Sequence, residues 1–411
     1  MKLTRHAVTV LLFTLLWGAA HGAVTDDAPD LSELLRYERW GALRARPRLQ
    51  LLDMGWDSNV FISQEETGDY RATVAPGLEG LILFGDRAFL RFDSEARYTA
   101  YSEYSELNYL DLRNAARVTF PIGRWAVYSG GGFDRVRKTP VDLDDVRPVY
   151  VNARAELGTK FTVSERSSLE LGLAYRDLKH EDDDFNVEDG DLGARLDRVE
   201  LENRTIYRHA VGGQAELSFE VAGAKIEFDT PNVVGLPGFG RDSRAMRLLP
   251  GISLGEEGPW TGRVELGYAE LNYDSGTLPG YSGSVGRAEL RYRPFQGSTW
   301  TLKGLREVDF SASQDNNYHV LQSARLNTLY FVSPVVGLEL ELARGELELP
   351  ASSRVDDLLE YWGGLRFLTM QDAFGRRVEY RVKIGRRERD SSDPQRDRSG
   401  SAVTIDAVFG Y

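Results

Sequence analysis

A chain of 411 residues without one cysteine has no disulfide, no thiolate metal site, no thiol nucleophile and no lipid-anchored amino terminus. Its 63 acidic residues outnumber 50 basic ones, and a net charge of −13 argues against nucleic acid, which requires a concentrated basic surface. Aromatics at 11%, 41 glycines and a mean hydropathy of −0.37 suit a β protein, including a barrel whose strands turn one face to a wet lumen.

At the amino terminus, Lys2 and Arg5 precede an apolar run over 7–17, followed by Gly18-Ala19-Ala20-His21-Gly22-Ala23. Charge, short apolar core and small-residue exit predict a secretory signal peptide over 1–22, with a core too short to span a bilayer. The segment 23–47 reads as an N-terminal periplasmic segment. Within it Asp30 and Glu33 form a capping-box-like start and Leu31, Leu34 and Leu35 an apolar stripe, which predicts a short helix. A leader without regular structure is the alternative.

From Arg48 onward, segments of about ten to fifteen residues alternate in polarity, as transmembrane strands do. Leu169, Leu171, Leu173 and Tyr175 share a face against Glu170, Gly172, Ala174 and Arg176. Ala288, Leu290 and Tyr292 oppose Arg287, Glu289, Arg291 and Arg293, while Val378, Tyr380, Val382 and Ile384 oppose Arg377, Glu379, Arg381 and Lys383. No second apolar run approaches the length of a spanning helix.

Short turns fall at Gly85-Asp86, Pro121-Ile122-Gly123, Ser164-Glu165-Arg166, Gly212-Gly213, Glu256-Glu257-Gly258, Gln296-Gly297-Ser298, Val332-Ser333-Pro334 and Gln371-Asp372-Ala373. Polar and mostly longer loops alternate with them, at 57–70, 102–105, 138–148, 179–195, 229–243, 274–284, 311–317, 348–355 and 389–400. That alternation predicts an all-β, antiparallel up-and-down transmembrane barrel over 48–411, with short periplasmic turns and long extracellular loops. It has about eighteen strands, or sixteen if the regions near Leu49 and Met246 are not strands, and both its termini are periplasmic. Trp125, Trp260 and Trp300 follow predicted short turns and Trp56 ends the first strand, so the four read as interface girdles. The chain ends on alternating Val403, Ile405, Ala407, Phe409 and Tyr411, expected to face lipid, with Thr404 and Asp406 facing the lumen. Phe409 and Tyr411 resemble the carboxyl-terminal assembly signal of bacterial outer-membrane proteins, which implies the barrel-assembly machinery as a partner and an integral outer-membrane location among lipid and lipopolysaccharide.

Catalytic chemistry finds little purchase. His180, His209 and His319 fall in or near loops and strand ends, and no nucleophile motif surrounds Ser311, Ser313, Asp315 and His319, so no enzyme is expected. The acidic run Glu181-Asp182-Asp183-Asp184 with Glu188, Asp189 and Asp191 lacks the glycine of a calcium loop and reads as a solvated loop. No metal or cofactor is called for. The candidate functional residues are those predicted to line the lumen: Arg287, Glu289, Arg291, Arg293, Glu339, Glu341, Arg377, Glu379, Arg381 and Lys383. Opposed charges in a narrow aqueous channel act on polar and ionic solutes.

Gly55-Trp56-Asp57-Ser58-Asn59-Val60-Phe61, then Ala75-Pro76-Gly77-Leu78 and Arg97-Tyr98-Thr99-Ala100-Tyr101, resemble an outer-membrane barrel family, the "putative β-barrel porin 2" group that accompanies bacterial exopolysaccharide systems. Trp56 stands where tyrosine is more usual. The resemblance implies export of an exopolysaccharide through the lumen, with a periplasmic polysaccharide-export protein as partner and the polymer as cargo. The alternatives are a general or solute-selective diffusion porin and a non-conducting structural barrel or adhesin.

Overall fold

The computed structural model describes residues 37–85, 87–137, 148–181, 192–212, 214–229, 240–255, 258–276, 278–312, 316–369 and 377–410. A three-residue strand, β1 (Glu38–Trp40), precedes the wall. Its first half runs β2 (Leu43–Asp57), β3 (Asp69–Leu83), β4 (Phe89–Tyr101), β5 (Tyr109–Ile122), β6 (Trp125–Arg137), β7 (Val149–Ser164), β8 (Ser167–Glu181), β9 (Arg198–Val211) and β10 (Ala215–Phe228). The second half runs β11 (Ser243–Leu254), β12 (Trp260–Tyr273), β13 (Tyr281–Tyr292), β14 (Ser298–Phe310), β15 (Tyr318–Ser333), β16 (Val336–Leu349), β17 (Arg354–Leu368), β18 (Arg377–Ser391) and β19 (Arg398–Gly410). Each wall strand pairs antiparallel with the next, and β19 pairs back onto β2, giving a closed barrel of 18 strands. Closure leaves no exposed sheet edge, the condition for a sheet to survive in lipid. Among the described residues no helix is long and apolar enough to cross a membrane.

The regions near Leu49 and Met246 are full strands, so sixteen is excluded. The wall begins at Leu43, ahead of Arg48, because Arg44, Arg46 and Arg48 already alternate with Leu43, Ala45 and Pro47 on paired strand. The basic side chains masked the alternation as polar leader. Residues 38–47, read within an N-terminal segment, are therefore β1 and the start of β2. The signal-peptide and short-helix expectations lie outside the described residues.

The seam is specific. Val403 lies opposite Trp56, Ile405 opposite Met54 and Phe409 opposite Leu49. β1 then pairs with β2 at Ala45, Arg44 and Leu43, covering the edge that β19 leaves open. A bulge at Asp53, with a φ of 53°, shifts register against both neighbours, and its N–H donates to Asp406 Oδ1 at 2.8 Å. At Gly55 a Cβ would sit 1.9 Å from the Val403 carbonyl oxygen, so only glycine lets the two seam strands meet.

Period-two alternation assigns the two faces. Leu171, Leu173 and Tyr175 are exposed on the outside, whereas Glu170, just before Leu171, is 4% exposed and ion-paired inside. Thr404 and Asp406 are buried inward while Val403 and Ile405 are exposed outward. Trp125, Trp260 and Trp300 lie outward at the short-turn end, Trp125 against Phe161 and Trp260 stacked on Tyr292. Trp56 lies outward at the long-loop end against Tyr70. Phe409 is the penultimate residue of β19, opposite Val378, and Tyr411 lies outside the described residues.

Candidate functional site

Inward positions around the wall carry charge of both signs, and cross-strand neighbours are close enough to pair. Arg48 meets Asp93 at 2.6 Å, Arg117 meets Glu156 at 2.8 Å, and Arg204 and Arg208 hold Glu170 at 3.3 and 2.7 Å. Further round, Arg247 pairs with Glu220 at 2.9 Å, Arg287 with Glu220 and Glu265, and Lys303 with Glu289 at 3.4 Å. Arg325 pairs with Glu341 and Glu360, and Arg366 with Glu339 at 3.2 Å and Glu379 at 3.6 Å. The result is a belt of ion pairs facing the lumen. Its acids are often buried against the wall, Glu220 at 2% and Glu265 at 0% exposure, beneath guanidinium heads that reach the lumen.

The residues singled out from sequence divide accordingly. Arg287, Glu289, Glu339, Glu341, Glu379 and Arg381 sit in the belt, the last paired with Glu379. Lys383 packs beside Gly364 on the same face, and Arg291 lies exposed opposite Thr261 near the periplasmic end. Arg293 is not a wall residue. It lies beyond β13 in the periplasmic turn, where its N–H donates to the Pro259 carbonyl at 2.8 Å. Arg377 opens β18 opposite Gly410, and its side chain lies outside the described residues. Sequence reading set Glu170 on the polar face of its strand but passed over Glu220 and Glu265, although each alternates with outward apolar residues. It also passed over Trp362, which lies inward, rests on Gly385 and donates from Nε1 to Glu360 at 2.8 Å.

Toward the long-loop end the lumen narrows on one side. Leu196 of α1 (Leu192–Leu196), in the loop after β8, packs with inward Ile226, Phe228, Leu249, Leu271 and Tyr273. Phe310 reaches Phe228 at 5.0 Å, and Arg198 reaches Asp309 at 3.5 Å, bridging β9–β10 to β14 across the intervening strands. Arg241 joins three loops, donating to the carbonyls of Arg195 at 2.7 Å, Ser311 at 3.1 Å and Asn317 at 3.0 Å. Below this cap lies a cavity of about 510 Å³ whose lining includes Tyr150, Arg154, Arg176, Glu202 and Arg247.

The first long loop also turns inward, held by the Gly55–Phe61 motif. Asp57, 1% exposed, accepts from the Asn59 N–H at 3.1 Å and pairs with Arg387 at 2.8 Å and Arg71 at 3.3 Å. Asn59 Nδ2 donates to the carbonyls of Ser63 and Ser399 at 2.6 and 2.7 Å, and its Oδ1 accepts from the Ser63 N–H at 3.0 Å. Val60 is buried with Tyr101 and Leu107. The motif is therefore a lock across the seam that sets the loop. Ser311 and His319 lie in the opposite cap and are buried, while Ser313 and Asp315 lie outside the described residues. His180 pairs with Asp197 at 3.1 Å and His209 with Ser167 at 2.8 Å. No group of three or more metal-ligating side chains is found among the described residues; of the acidic run, only Glu181 is described.

A closed 18-strand antiparallel barrel with an apolar outside, a charged inside, short turns at one end and long loops at the other is an integral outer-membrane channel. The model of the family described as putative beta-barrel porin 2 matches residues 38–410, and the chain belongs to that family. Its family and fold are those of channels rather than enzymes. No curated relative matches the chain. Among solved structures it is similar to Pseudomonas aeruginosa OpdK with vanillate, at 10% identity and a TM-score of 0.50, covering 89% of this chain and 99% of that one. It is similar also to Pseudomonas aeruginosa OccK2 (OpdF), at 10% identity and a TM-score of 0.50, covering 89% and 98%. A BenF-like porin from Pseudomonas fluorescens Pf-5 matches at 10% identity and a TM-score of 0.48, covering 89% and 99%.

Proposed function

We propose that the protein is a solute-selective diffusion channel of the outer membrane, passing small polar and ionic solutes without a covalent step. The observation that carries this reading is the belt of ion pairs facing the lumen, from Arg48–Asp93 round to Arg366–Glu379. A belt of charge inside a sheet of 18 strands demands water beside it, and barrels of this size leave an aqueous passage. A non-conducting barrel has less use for it, since a dry interior of that width would bury these groups at several kcal/mol each.

Export of an exopolysaccharide, with a periplasmic export protein and the polymer as cargo, is the second reading, favoured by the motif at Gly55–Phe61. The two differ in resting current. Purified protein in planar lipid bilayers is expected to conduct potassium chloride steadily. A barrel that stays closed in isolation, together with loss of surface polysaccharide in a deletion strain, overturns the diffusion reading in favour of export.

A further inference from the structure

On the inward face of β15–β19, toward the long-loop end, the first loop roofs a recess of about 310 Å³. Leu321, Ala343 and Leu358 contribute apolar surface to it, Ile62 comes down from the loop, and Arg325, Glu360 and Arg387 are among its charged lining. Ile62 holds a φ of 59°, which a β-branched residue adopts only where its surroundings force it. The Asn59 carbonyl accepts its N–H at 3.3 Å, and Arg398 donates to its carbonyl at 3.2 Å. Such strain concentrates at ligand clamps. Here it puts an apolar side chain over an aqueous lumen.

We propose that this recess is a binding subsite for small organic anions with an apolar body. The proposal rests on the channel reading and names the class of solute the channel selects. The apolar floor and the Ile62 roof favour removal of a ring or short chain from water. Charge decides the sign of the solute. Arg325 and Arg387 are 46% and 40% exposed, whereas their partners Glu341, Glu360 and Asp57 are 13%, 26% and 2% exposed. An approaching solute therefore meets guanidinium donors before it meets carboxylates. Each guanidinium is held by its acid at a fixed place, so little freedom is lost when a carboxylate takes the remaining N–H groups. A neutral polyol has no use for the apolar floor, and a cation is repelled at the rim.

The test uses benzoate, with acetate supplying the charge without the body and benzyl alcohol the body without the charge. Equilibrium binding to the detergent-purified full barrel is the first readout, because it needs no current. Interruption of single-channel current is the second. Benzoate is expected to bind more tightly than either control. Arg325→Gln should weaken it by about tenfold, the loss of one charged hydrogen bond, and Ile62→Gly should weaken it while relieving the backbone. Lys225→Gln, on the outer face, should leave it unchanged. Heat-modifiable mobility on gels shows that each variant is folded, and Arg325→Lys retains the charge if the glutamine variant is not. Benzoate binding no tighter than acetate, or unchanged in both Arg325→Gln and Ile62→Gly, overturns the subsite. A barrel that conducts but does not bind benzoate loses the subsite alone. One that binds benzoate and carries no current loses the channel reading.

Discussion

At the scale of single residues, Asn59 shows how a sequence motif acquires a physical meaning. It is 4% exposed, and its amide makes three hydrogen bonds, two to Ser63 within the first loop and one to Ser399 of β19 across the seam. Removing a partner and leaving buried backbone groups unsatisfied costs about 1–3 kcal/mol. Asn59→Ala is accordingly expected to lower the unfolding free energy of the vesicle-folded barrel, read from a urea titration, by that amount; an unchanged value would show that water replaces the amide. From sequence the residue was legible only as part of a familiar pattern. Its role was not, because Ser399, the carbonyl it bonds, is 340 residues away. Arg293 illustrates the opposite error. Its alternation with Tyr292 is genuine, but the chain leaves the sheet between the two, and periodicity does not report where pairing stops.

At the scale of elements, strands were more legible than the loops that furnish the lumen. Alternating polarity and turn residues are local properties, so most strands from β3 to β19 could be read one at a time, the exception being β11 around Met246. β2 was shortened because arginines fill its inward positions near the periplasmic end, where the lumen is wet. The cap built from α1 and the loop after β14 left no such signal, since its contacts join chain segments far apart. Arg241 is its common point, and its cation also lies over Phe228 at 5.3 Å. Arg241→Gln is expected to free the cap and raise single-channel conductance, with heat-modifiable mobility unchanged; an equal conductance would show that the cap does not limit flow. The closing strand has its own test. Phe409 pairs opposite Leu49 at the seam, and Phe409→Ala is expected to reduce the amount of folded barrel recovered from the outer membrane. Recovery equal to the parent would remove Phe409 from any assembly signal.

At the scale of the whole molecule, opposed lumen charges matter more together than singly. Because nearly every inward acid described has a basic neighbour, the belt offers a strong transverse field and little net potential along the axis. The reversal potential under a potassium chloride gradient is therefore expected to lie near zero. Near-ideal selectivity for one ion would mean that the pairs are open in the membrane.

What the chain's own order determined was the barrel: its class, alternation of short and long connections, the outward apolar face and the common end of both termini. Each follows from local patterning under one global demand, that no backbone group be left unpaired in lipid. What only the tertiary structure decided was the lumen. Which charges pair, where Ile62 is pressed over an apolar recess, and how Arg241 ties three loops all depend on contacts between distant segments. Closing the sheet brings those segments within a few ångströms, and no period in the sequence encodes that meeting.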